Sequence, residues 1–134
     1  MFTANREDYL RGIFILEEEK GEIKSIDLAH YLKVSKPSVS EMVQELNREG
    51  LVSHKKYSKL RFTPKGRRIA QKLTSKHRLI EIFLKNILKI ESKNVHQEAH
   101  RLEHAFSDES INKLKKLLGN PKKDPHGKPI PQVL

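Results

Sequence analysis

Histidine and glutamate crowd one short stretch of this chain, His96-Gln-Glu-Ala-His100-Arg-Leu-Glu103-His104, and both side chains are ligands for divalent cations. At 100° per residue, positions 96, 100, 103 and 104 of a helix fall within roughly a 100° arc. Val95, Ala99, Leu102 and Phe106 recur on a neighbouring arc, so the helix has a core side and a ligand side. The plain alternative is a hydrated face with exposed ion pairs, which Arg101 beside these residues would allow. Two more features weigh against it. His77 and Glu81 stand i,i+4 in another helical pattern, and Asp8 lies in the first turn of an earlier helix. Together the three segments could enclose one or two ions.

The bulk composition limits what else the chain does. Its 134 residues fit one compact domain or two small ones sharing a core, which is too little for a larger enzyme architecture. The net charge is +10 and unevenly placed. Between Glu49 and Glu81 there is no acidic residue and there are ten cations: Lys55, Lys56, Lys59, Arg61, Lys65, Arg67, Arg68, Lys72, Lys76 and Arg78. That interval favours a polyanionic partner, with nucleic acid the first candidate. Cysteine is absent, which removes disulfides, thiolate ligands and thiol catalysis. No apolar run reaches the roughly 18 residues that span a bilayer, and the start of the chain lacks a signal-peptide pattern. The expectation is therefore a cytoplasmic protein with no membrane partner and no small-molecule substrate.

Helix signals come in a definite order. Asn5 caps a first helix from about Arg6 to Lys20, closed by Gly21. Ser25 opens a short second helix with Leu28, Ala29 and Leu32, and Ser35 with early Pro37 opens a third that carries Val39, Met42, Val43 and Leu46. After Gly50 the period becomes alternating. Leu51 to His54 and Leu60 to Phe62 read as strands around a basic tip from Lys55 to Lys59. Thr63-Pro64 then launches a long helix through Ile87, with Gly66 weakening its first turn. Ser92 caps the ligand-bearing helix, and Ser107 or Asp108 a last one that stops at Gly119. Four prolines from Pro121 to Pro131 give an extended tail.

This order predicts a mainly α fold, an amino-terminal winged helix-turn-helix with a two-stranded wing followed by a helical domain. The expected boundaries are 1–65 for DNA binding, 66–120 for metal binding and dimerisation, and 121–134 for the tail. In such a module the amino-terminal turn of the third helix enters the major groove, so Ser35, Lys36, Pro37, Ser38, Ser40, Glu41 and Gln44 are candidates for base and phosphate contact. Lys55, Lys56, Lys59 and Arg61 on the wing would neutralise phosphates. Surplus apolar residues of the later helices, Ile80, Phe83, Leu84, Leu102, Phe106 and Leu114, favour a homodimer over a bare apolar patch.

Asp8-Tyr-Leu-Arg-Gly-Ile13, Ser35-Lys-Pro-Ser-Val-Ser40, Thr63-Pro-Lys-Gly66, Lys76-His-Arg-Leu79, Asn94 to His104 and His126-Gly-Lys-Pro-Ile-Pro131 resemble the metal-dependent repressors typified by the diphtheria toxin repressor and the manganese transport regulator. The resemblance covers nearly the whole chain. It implies a primary metal site of Asp8, His100, Glu103 and His104, and an ancillary site of His77, Glu81 and His96. It also implies a homodimer on palindromic operator DNA, with Fe2+ or Mn2+ as corepressor, in the short form without an extra carboxy-terminal domain. The chain departs from the iron-sensing type, which has methionine at position 8 and cysteine at position 100. It departs from the manganese-sensing type at Arg11 and His100, where that type has carboxylate ligands. Oxygen and imidazole donors suit Mn2+ and Fe2+, and Zn2+, Co2+ or Ni2+ could substitute in vitro.

Two rival readings remain at this stage. His100-Arg-Leu-Glu103-His104 also spells H-x-x-E-H, a zinc-peptidase motif, although only 30 residues follow it. The other is a winged-helix regulator that needs no metal. The expectation is a repressor and not an enzyme.

Overall fold

The computed structural model describes residues 4–54 and 59–133 and divides the chain into two compact units, Met1–Gln71 and Lys72–Leu134. In the first unit, α1 (Arg6–Lys20) begins where the sequence places its cap. Asn5 accepts the Asp8 N–H, and the Asp8 carboxylate accepts the Asn5 N–H in return, a reciprocal box that satisfies two donors at the helix end. α2 (Ser25–Leu32) packs between α1 and α3 (Lys36–Arg48). Its cap is Lys24, one residue before the expected Ser25, because the Asp27 carboxylate takes the Lys24 N–H at 2.8 Å.

The turn into α3 passes through Lys33 in the left-handed conformation, and the Ser35 hydroxyl then accepts the Ser38 N–H. Ile13, Leu28, Val39, Val43 and Leu46 are fully buried, and each contributes roughly 1.5–3 kcal/mol by leaving water. Strands β1 (Val52–Ser53) and β2 (Arg61–Phe62) pair antiparallel, with Val52 opposite Phe62 and Ser53 opposite Arg61. They are shorter than the expected runs. The wing gains an edge instead from Ile23, whose carbonyl accepts the Leu60 N–H at 3.0 Å. The expected tip residues Lys55 and Lys56 lie outside the described residues.

Helix α4 (Pro64–Ile82) starts under Thr63, whose hydroxyl accepts the Gly66 N–H and donates to the Gly50 carbonyl. Gly66 does more than weaken a helical turn. A Cβ placed there would lie 1.8 Å from the Leu51 carbonyl oxygen, so the wing and the helix meet only because that side chain is missing. The unit boundary falls within α4.

In the second unit α4 does not run on as an α-helix to Ile87. Residues Phe83–Ile87 form a π-helical turn, with the Leu88 N–H on the Phe83 carbonyl, before Lys89 turns left-handed. α5 (Ser92–Glu103) packs on that turn, and α6 (Asp108–Leu117) follows from its Ser107 cap. Leu79, Ile80, Leu84, Val95, Ala99, Ile111 and Leu114 form the core together with Ile130.

Ile130 shows that residues 121–133 are not a trailing tail. Arg78 of α4, 3 % exposed, faces the Asp124 carboxylate and donates to the Pro129 carbonyl, while Ser75 donates to the Pro131 carbonyl. The Asp124 carboxylate also accepts the N–H groups of His126 and Lys128, closing a turn at Gly127. Proline spacing reads as extended chain because these anchors are supplied from elsewhere in the sequence.

Gly66→Ala should destabilise the protein by about 1–3 kcal/mol or more, since a backbone carbonyl cannot swing aside as a side chain would. Urea unfolding of the two proteins checks this, and an unchanged midpoint would contradict the close approach.

Candidate metal centre and nucleic-acid interface

In the second unit the candidate ligands come from two helices. α4 supplies His77 and Glu81 one turn apart, and α5 supplies His96, His100 and Glu103, with His104 at its carboxy-terminal cap. Val95 and Ala99 are buried in the core while His96 is exposed and His100 half-buried, so α5 is two-sided as its sequence predicts. His77, Glu81 and Glu103 are 3–5 % exposed. Burying three ionisable groups is costly unless they satisfy one another or a cation.

Glu103 lies at the centre of this arrangement. Its Oε2 is 2.8 Å from His77 Nδ1, and its Oε1 is 3.3 Å from His100 Nδ1 and 3.7 Å from His104 Nε2. An ionised carboxylate only accepts, so His77 carries a hydrogen on Nδ1 and turns Nε2 toward the other group. That nitrogen is 3.2 Å from His96 Nδ1 and 3.5 Å from Glu81 Oε1, and Glu81 Oε2 is 3.8 Å from His96 Nδ1. One ligand atom each from His77, Glu81 and His96 lies within 4.8 Å of the others, and the same holds for His100, Glu103 and His104. Two sets of imidazole and carboxylate donors, with no thiolate, fit a borderline or hard divalent ion.

Burial pushes the Glu81 carboxyl up, but the hydrogen bond from His96 and the charges of His77, His96 and His126 outweigh it, leaving Glu81 below its ordinary value. His126 therefore belongs to the surroundings of this group. From sequence, His126 falls in the stretch whose prolines read as an extended tail.

In the first unit Asp8, 2 % exposed, is the third residue of α1. Its Oδ2 accepts the Asn5 N–H at 2.8 Å, and its Oδ1 lies 3.7 Å from the Arg11 guanidinium.

The nucleic-acid candidates of the first unit form one exposed set. Ser35 at the cap of α3 and Lys36, Pro37, Ser38, Ser40, Glu41 and Gln44 along it all face solvent, while Val39 and Val43 are buried. On the wing, Lys59 and Arg61 are exposed and both pair with Glu22. Those pairs, the Lys59 hydrogen bond first, hold the Glu22 carboxyl below its usual value. The Glu22 side chain is exposed, so phosphate can take its place at little cost.

The ten-cation interval is less available than its sequence suggests. Arg78 is buried against Asp124, Arg67 pairs with Glu17 over the Phe62 ring, and Lys76 donates to the Phe106 carbonyl. Among the described residues of that interval Lys59, Arg61, Lys65, Arg68 and Lys72 remain exposed.

Comparison with known proteins bears on both units. The model for the N-terminal DNA-binding domain of iron dependent repressors matches residues 1–60, and that for their metal-binding and dimerisation domain matches residues 63–132. The HTH-type transcriptional regulator MntR of Geobacillus kaustophilus is 37% identical over 118 residues, covering 88% of this chain and 83% of that protein. The diphtheria toxin repressor of Corynebacterium diphtheriae is 41% identical over 125 residues, covering 93% of this chain and 55% of that protein. Among solved structures, the manganese regulator SloR superposes with a TM-score of 0.86 at 44% identity over 98% of this chain and 61% of its own. A manganese-dependent transcriptional repressor in complex with manganese gives 0.88 at 38% identity over 96% of this chain and 59% of its own. The chain thus spans about three-fifths of these solved relatives.

In excess chelator, Glu103→Ala should cost about 1–3 kcal/mol of stability, because the buried His77 Nδ1–H loses its acceptor, and Glu103→Gln should cost less because it keeps an oxygen there. Urea unfolding of both variants gives the comparison, and equal losses would contradict the acceptor role.

Proposed function

The chain belongs to the iron-dependent repressor family, and from that membership and the donor geometry we propose that it is a DNA-binding transcriptional repressor with Fe2+ or Mn2+ as corepressor. The observation that carries this is the buried Glu103 carboxylate held between two imidazole groups. In this reading Asp8, His100, Glu103 and His104 hold the primary ion, and His77, Glu81 and His96 the ancillary one. Position-by-position resemblance supports both sets. A bound cation supplies positive charge and a shared coordination shell, which an acidic and imidazole-rich cluster lacks by itself.

The protein residues do the rest. The exposed outer side of α3 reads base edges through Glu41 and Gln44, while Ser35, Lys36, Ser38 and Ser40 at and near its start fix its register on phosphate. Lys59 and Arg61 exchange Glu22 for backbone phosphate, so binding weakens as salt rises. Lys55 and Lys56 are read from the sequence as further phosphate contacts. A homodimer presents two such heads to the half-sites of a palindromic operator. Its pairing face includes Ile87 and Leu88, which the π-helical turn leaves 53% and 51% exposed. No helix among the described residues is long and apolar enough to cross a membrane, and a repressor of this kind works where the DNA is, in the cytoplasm. The family consists of repressors, so the peptidase reading of His100, Glu103 and His104 is set aside.

A 100-fold change in DNA affinity requires a differential metal-binding energy of about 2.7 kcal/mol, which a few coordination bonds supply. Chelated protein should therefore bind operator DNA about 100-fold more weakly than protein given Mn2+ or Fe2+. Asp8→Ala should stay in the weak state when metal is added, while in chelator it remains folded with a melting temperature lowered by about several degrees through loss of the bond to the Asn5 N–H. Equal binding with and without chelator would favour the metal-independent regulator. Ile87→Glu should shift the protein toward monomer in sedimentation and lose the advantage of a two-half-site operator over a single half-site; an unchanged dimer would move the pairing face elsewhere.

A further inference from the structure

The capping box of α1 involves a residue that the metal-site reading leaves out. Asn5 is the N-cap, extended at φ −103° and ψ 179°, and its side-chain oxygen accepts the Asp8 N–H at 3.1 Å while its own N–H donates to Asp8 Oδ2 at 2.8 Å. The two bonds support each other, the first holding the Asn5 backbone where its N–H meets the carboxylate. Together they fix the rotamer of a carboxylate whose side chain is 1 % exposed, with Oδ2 turned back to the helix end and Oδ1 turned toward Arg11. α2 provides an internal comparison. There Asp27 makes the same backbone bond to Lys24, but its carboxylate is partly exposed and pairs with Lys20 at 3.3 Å, so that cap serves only its helix.

We propose that Asn5 is a positioning residue for metal binding: it presets the Asp8 carboxylate, so the ligand need not be ordered when the cation arrives. The proposal rests on reading Asp8 as a ligand. Preorganisation of this kind strengthens binding without adding a contact to the ion, and loss of a group that orients a metal ligand typically weakens affinity by about 10- to 100-fold.

The test is Mn2+ binding to the full chain by calorimetry without DNA, together with melting of the chelated protein. Asn5→Gly removes the acceptor while glycine remains a tolerated N-cap, so the fold should persist and the melting temperature should move by only about a few degrees. Its Mn2+ affinity at one site should fall about tenfold. Asn5→Ser restores an acceptor and should restore the affinity. Wild-type affinity in Asn5→Gly, or failure of Asn5→Ser to rescue a weakened site, overturns the proposal. Asp8→Ala separates it from the reading beneath it. If Asp8→Ala also binds Mn2+ normally, Asp8 is not a ligand; if Asp8→Ala loses a site and Asn5→Gly does not, the ligand assignment stands and the positioning role falls.

Discussion

One buried carboxylate, Glu103, has an imidazole against each oxygen, and the second unit is organised around keeping it satisfied. Its Oε2 fixes which nitrogen of His77 carries the hydrogen, and its Oε1 faces His100 and His104. Burial at 5 % exposure would be prohibitive for an isolated anion. In this surrounding it becomes a receptor for positive charge, whether protons or a divalent ion. The hydrogen bond to His77 also makes the two donor groups neighbours through one side chain rather than independent sites.

That chemistry needs α4 and α5 held firmly against each other, and the apolar core does only part of this. Leu79, Ile80, Leu84, Val95 and Ala99 close the packing, while Arg78, next to His77, anchors the Asp124 turn and the chain beyond it. A buried guanidinium with a carboxylate and a carbonyl partner is costly to disrupt on one side alone. The same strap brings the charge of His126 to bear on Glu81. In the first unit the equivalent economy lies in the caps: Ser35, Thr63 and Asn5 each satisfy a helix end, and Asn5 also orients Asp8.

Much of this was legible beforehand, because caps, prolines and helical periodicity act locally. Ser35 with Pro37 identifies α3, Ser107 identifies α6, and the alternation of Val95 and Ala99 with His96 and His100 identifies the two faces of α5. What the sequence did not reveal depends on partners distant along the chain. Gly66 reads as a weak helical residue until Leu51 is brought against it. Arg78 reads as one more surface cation until Asp124 and Pro129 enclose it, and the prolines near the end read as extended chain for the same reason. The π-helical turn at Phe83–Ile87 has no proline or glycine to announce it. Asp8 was marked as a ligand by family likeness, but its hold on the Asn5 backbone comes from the geometry of the cap.

The central claim is that the buried Glu103 carboxylate and the imidazole groups around it form a seat for a divalent cation. Anomalous diffraction at the manganese edge from crystals grown with Mn2+ tests it directly. The account predicts a peak within about 2.5 Å of oxygen or nitrogen atoms of Glu103 and His104 together. A peak confined to other residues, or crystals that bind operator DNA with no peak at all, would contradict it.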